Sequence, residues 1–122
     1  MAITNLFLVD NITHGVPSGN YDGSSLEFDT DGVKGVGYYP GQGNLQNLGI
    51  RTTGFSGTVT IQATLDDDWT DANWVDTFVY DAGAITPISG YRPESLVGNY
   101  TWLRAHITDF TAGTINFILV SY

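Results

Sequence analysis

Asp66, Asp67, Asp68 and Asp71 make the sharpest local concentration of charge in the chain. Clustered carboxylates can give oxygens to Ca²⁺, a hard cation that takes six to eight such ligands. Their spacing is not that of an EF-hand loop, because the glycine and the terminal Glu are missing. The simpler reading is a solvated turn in which Asp side chains cap backbone amides. His14 and His106 are the only histidines and have no obvious carboxylate or nucleophile beside them in sequence. A catalytic triad forms in space and not in sequence order, but no serine sits in a nucleophile-elbow context. With Glu27 and Glu94 as the only glutamates, a glycosidase pair would have to recruit aspartates. We therefore expect no enzyme, no catalytic residues, no cofactor and no resident metal.

Aromatic residues offer a different chemistry. Trp69, Trp74 and Trp102, with Tyr38, Tyr39, Tyr91 and Tyr100, have flat apolar faces with polar tips, suited to sugar rings and protein interfaces alike. Trp74, and one of Trp102 and Leu103, are assigned to the core. Tyr38, Tyr39 and Trp69 lie in loop-like contexts and are the candidate partner or glycan contacts.

The elements that must position these groups read as strands. In Gly57–Leu65, Val59, Ile61, Ala63 and Leu65 fall on one side and Thr58, Thr60, Gln62 and Thr64 on the other. A period of two demands an extended strand with one buried face. Further strands are expected at 3–9 (Phe7 and Val9 opposite Leu6 and Leu8), 26–28, 33–39, 48–53, 74–80, 100–107 and 114–122, the last with Ile115, Phe117 and Leu119 on one side. Residues 11–25, 40–44, 81–95 and 108–113 read as loops or turns, on their Gly, Pro, Asn and Asp content. Fifteen glycines and few Lys, Arg or Glu argue against helices. The fold class expected is all-β: a single antiparallel β-sandwich of about eight strands, jelly-roll-like, over residues 1–122.

The 122 residues suffice for one domain that buries about two-thirds of its unfolded surface. Lys34, Arg51, Arg92 and Arg104 stand against 13 acids, for a net charge of -9. Nucleic acid needs clustered cations to displace phosphate counterions, so neither it nor an anionic membrane is an expected partner. Absence of cysteine removes disulfides and thiolate metal sites. The stretch from Met1 lacks a basic n-region and an apolar h-region, so no secretory leader is expected, and synthesis in a cytoplasm is.

Residues from about Phe55 to Tyr122 carry a recurring pattern: Gly57–Leu65, an acidic turn reaching Trp74, the segment Gly98–Ala105 (Gly-Asn-Tyr-Thr-Trp-Leu-Arg-Ala), and Phe110–Ile115 leading into a last strand. That pattern resembles small β-sandwich structural proteins of tailed bacteriophages. The resemblance implies a virion protein assembled in the host cytoplasm, most simply a capsid decoration (cement) protein. Its expected partners are the major capsid protein or tail components, with a homotrimer as the natural assembly. A tail, baseplate or fibre component, or a carbohydrate-binding module that reads host receptors, are the alternatives.

Overall fold

The computed structural model describes residues 5–39, 41, 43–81 and 88–122. Seven strands follow in order: β1 (Asn5–Thr13), β2 (Phe28–Asp29), β3 (Val33–Lys34), β4 (Leu45–Thr64), β5 (Val75–Asp81), β6 (Ile88–Val97) and β7 (Trp102–Ser121). Single 3₁₀ turns stand at Val36–Tyr38 and Trp69–Asp71, and there is no α-helix among the described residues. All strands belong to one antiparallel sheet, with the path β1-β7-β4-β5; β2 and β3 also pair with β7, and β6 with β4.

The organising unit is the long ribbon of β4 and β7, paired from Asn47 opposite Ser121 to Thr64 opposite Trp102. Its register breaks between Arg51 and Thr58, where the backbone adopts left-handed conformations at Gly54 (φ 59°), Asp109 (φ 52°) and Gly113 (φ 87°). Gly113 has a second reason to lack a side chain: a Cβ there would lie 2.2 Å from the Gly54 carbonyl oxygen. Bulges of this kind bend a strand without ending it. Each half of the bent ribbon recruits its own flanks. The half built on residues 45–55 and 112–121 adds β1 and β6, and the half on 56–64 and 102–108 adds β2, β3 and β5.

The inner faces of both halves enter one core. Leu48, Ile50, Ile118 and Val120 of the first half join Val59, Ile61, Leu103 and Ile107 of the second, all of them at most 2% exposed. At the rim, Arg92 of β6 lies 5.4 Å over the Phe78 ring of β5, and β1 approaches β3 on the opposite side. The result is the all-β, sandwich-like architecture that alternation in the sequence predicts. Near the bend, Phe110 is the hub of an aromatic cluster, with ring centroids 5.2 Å from Tyr21, 5.7 Å from Phe55 and 6.2 Å from Phe28. Buried Gln46 fastens the other end: its Oε1 accepts from the Val36 N–H, and its Nε2 donates to the Leu96 and Gly98 carbonyls. A buried amide with every partner supplied is tolerated and specifies one packing.

Several expectations need correction. The strands expected at 48–53 and 57–65 are one strand, as are those expected at 100–107 and 114–122, because bulges carry each pair through without a break. Leu65 is 70% exposed, since β4 ends at Thr64. β1 continues to Thr13, into the expected loop, and the rest of that loop is pinned by Tyr21, whose buried hydroxyl accepts from the Gly15 N–H. A bulge at Leu8 puts Phe7 outside and Val9 inside, breaking their expected shared face. A register shift likewise separates Ile115, which is buried, from Phe117 and Leu119, which lie outside. Part of the expected 81–95 loop is β6; an edge strand paired on one side only can carry Pro93 without losing a ladder bond. Trp74 is half-buried and outside the core, whereas Leu103 is fully buried with Trp102 on the opposite side. The expected strand start at Ile3, the loop positions Pro40 and Gln42, and Gly83 and Pro87 lie outside the described residues.

Candidate functional site

Tyr38 and Tyr39 end the first 3₁₀ turn, beside the start of β7. Tyr38 is 41% exposed and packs edge-on against Tyr39 and Trp102, with centroids 5.2 and 5.4 Å away. The Lys34 ammonium sits 4.4 Å from the Tyr38 ring, a cation–π contact. Tyr39 approaches Tyr122, whose hydroxyl donates to the Lys34 carbonyl. Burial, with Tyr39 as neighbour, pushes the Tyr122 phenol up to about 12. Trp69 is half-buried and packs closely against Gly32, where a Cβ would come within 2.6 Å of its ring. The candidate contacts thus stand at one end of the sheet, with Tyr38 the more open of them and one side of the Trp69 indole already covered.

The aspartate cluster is a capped turn. Asp66 accepts from the backbone and side-chain amides of Asn73, and Asp68 accepts from the Thr70 N–H and hydroxyl. Those two Thr70 donors, the hydroxyl first, hold the Asp68 carboxyl below the usual carboxylate range. Asp67 contributes its carbonyl to the Trp102 indole N–H. Among the described residues no three His, Asp or Glu side chains converge as a metal site would need. Asp22 repeats the device in the first long loop, where the amides of Ser24 and Ser25 lower its pKa to about 2.

The structure also brings together groups that sequence reading kept apart. On the outer face of the second half, His106 of β7 contacts the Asp29 carboxylate through Nδ1, and its Nε2 lies 3.5 Å from Glu27. Arg104 lies 3.8 Å from Asp29, donates to Gln62 Oε1 at 2.7 Å and stacks 4.6 Å from the Trp74 ring. Gln62 passes the chain on to Asp76. His106 therefore has two carboxylates beside it, contrary to the expectation of none. Their proximity follows from Asp29 pairing with His106 across β2 and β7, which no local sequence signal announces. Every polar member of this ladder is engaged by another member, so the arrangement stitches four strands together and leaves little chemistry unspent.

The outer face of the first half is built oppositely. Cross-strand register aligns Phe7, Leu119, Gly49 and Pro93 in one row, and Asp10, Phe117, Arg51 and Tyr91 in the next. Phe7 and Tyr91 are 54% and 51% exposed, and both rings flank Phe117, at 6.4 and 5.9 Å. Tyr91 lies across Gly49, where a Cβ would come 2.7 Å from its hydroxyl. Polar rows border this band: Asn47 with Ser95 at one end, and Thr13 with Thr114 and Thr53 with Asn116 at the other. An apolar, aromatic centre with a polar rim is the anatomy of a protein interface. Sequence reading missed this face because the bulges that turn Phe7 and Phe117 outward are invisible in the alternation. No protein-family model matches the chain, and no curated protein sequence matches it.

Proposed function

We propose that this protein is a non-enzymatic structural component of a tailed-phage particle, a capsid decoration protein that stabilises the shell by contacts between subunits. In this reading its sandwich-like sheet is of the jelly-roll type. The observation that carries the proposal is the outward aromatic band, with exposed Phe7 and Tyr91 flanking half-buried Phe117, on an otherwise acidic chain. Apolar surface held in water is unfavourable by about 25 cal/mol per Å², so a contiguous band of it favours association. The resemblance of residues 55–122 to phage β-sandwich proteins supports the setting, and the band supplies a surface for contact between subunits.

Particles that lack the protein are expected to assemble and infect but to lose their contents on heating or at low salt, with purified protein restoring resistance. A map of the particle that finds this chain on the tail or fibre would move the same structural role to that address. Carbohydrate recognition has one favourable observation, the open Tyr38 ring beside Lys34. Saturable binding on a glycan array, lost in Tyr38→Ala or Trp69→Ala, would replace the decoration reading. Substrate turnover abolished by one Asp or His substitution would defeat both.

A further inference from the structure

We propose that the aromatic face is self-complementary and pairs with a second copy of this chain about a two-fold axis lying along β7. The inference deepens the structural reading above, since it names the partner of the band on which that reading rests.

Asp10 on β1 and Arg51 on β4 flank Phe117 in register, one on each side of β7. Both are exposed. Neither has an ion-pair or hydrogen-bond partner among the described residues, although each other side-chain cation is matched with a carboxylate or an aromatic ring. The two are separated by two strand spacings, roughly 10 Å, too far to satisfy one another. A two-fold axis along β7 exchanges the positions of β1 and β4. It sets Arg51 of each copy over Asp10 of the other and Phe117 over Phe117. It also brings Phe7 of each copy onto the Tyr91 ring that covers Gly49. An isologous contact requires this property, that residue i meets j while j meets i.

Charge agrees with the pairing, and area sets its strength. The two rows contain one Asp and one Arg and so are neutral, whereas the chain carries a net charge of -9. Two strongly acidic molecules repel least where they meet on neutral surface. With the axis along β7, the strands β1, β7 and β4 overlap their counterparts and β6 lies beyond them; three strands at about 4.8 Å spacing and about eight residues in length bury roughly 800 Å² over the two faces, the size of a weak, reversible contact. Strand-edge pairing is a poorer route to assembly. β1 is broken by its bulge at Leu8, β5 by a register shift at Thr77, and β6 carries Pro93. Faces, not edges, are left to associate.

The test is sedimentation of the full chain over a concentration series, with charge reversals in the unpaired row. The native chain is expected to dimerise. Arg51→Asp, and separately Asp10→Arg, should each raise the dimer Kd by about 100-fold, since each places like charges opposite one another twice. The double reversal Asp10→Arg/Arg51→Asp should recover dimerisation to within about tenfold of native. Both side chains are exposed, and an unchanged far-UV circular dichroism spectrum verifies that each variant folds. A native chain that stays monomeric overturns the proposal, as does a dimer indifferent to single reversals or not rescued by the double one. A trimer that ignores them would place self-association on another surface. Monomer that still loads onto particles would overturn this pairing while leaving the decoration reading intact, so the two failures are distinguishable.

Discussion

The two outer faces are cut from the same pair of strands and end with opposite surfaces. Beyond the bend, β4 and β7 present Gln62, Arg104 and His106, which close a polar ladder with Asp29, Glu27 and Asp76. Before it, they present Gly49, Arg51, Phe117 and Leu119, joined by Phe7 and Tyr91. One face satisfies itself. The other holds exposed rings and two charges, Asp10 and Arg51, that have no ion-pair partner among the described residues. Recognition is expected where a surface is incomplete, and so the aromatic side carries the functional proposals while the polar side serves as internal stitching.

Both faces rest on one core, so a loss beneath them should reach both. Phe110→Ala removes the hub of the aromatic cluster at the bend and should cost about 3–5 kcal/mol in urea unfolding. It should weaken both faces together; an effect on association alone would show the halves to be independent. Gln46→Ala leaves the Val36 N–H and the Leu96 and Gly98 carbonyls without their partner, and should cost about 2–3 kcal/mol.

Substitutions on the faces should then separate stability from association. Arg104→Ala should lower stability by about 1 kcal/mol, through lost contacts to Gln62, Asp29 and Trp74, and leave the dimer unaltered. Phe7→Ser should do the reverse, changing monomer stability by about 0.5 kcal/mol or less while reducing association, as judged by parallel unfolding and sedimentation. The smallest effects lie in pH. Tyr122 has its phenol raised from 10.0 to about 12, so folding favours its neutral form. The stability it contributes is full below pH 10 and is lost as pH rises toward 12; Tyr122→Phe should remove a phenol transition near pH 12 from an ultraviolet titration. Asp22 works in the opposite sense. Its carboxyl is lowered from 3.8 to about 2, so its contribution is present above pH 4 and disappears as pH falls through 2. In Asp22→Asn that part of the acid titration should vanish.

Alternation made much of the inner surface legible. Val59, Ile61 and Ala63 are buried as the pattern Val-Thr-Ile-Gln-Ala requires, and Leu48, Ile50 and Thr52 likewise. Such patterns are readable because a strand's side-chain period is fixed by its backbone, wherever the strand is later placed. Reading failed wherever one extra residue shifted the register. The bulges near Leu8 and between Ile115 and Phe117 reversed the faces of Phe7, Phe117 and Leu119, and with them concealed the aromatic band. Pro93 and Gly90 suggested a loop, although they occupy an edge strand whose second side needs no hydrogen bonds. The aspartate turn was legible, because Asx capping is local, within a few residues of Asp66 and Asp68. His106 was not, for Asp29 and Glu27 arrive from nearly eighty positions earlier in the chain.

From its order of residues alone, this chain determined that it would be all-β and acidic, with an apolar interior and turns capped by aspartates. Those properties depend on backbone periodicity, composition and near neighbours. Which side chains share an outer face, and which charges find partners there, were decided by the pairing of β1, β2 and β6 with distant stretches of β4 and β7. Register across strands is a property of the assembled sheet, and one bulge is enough to exchange its inside with its outside.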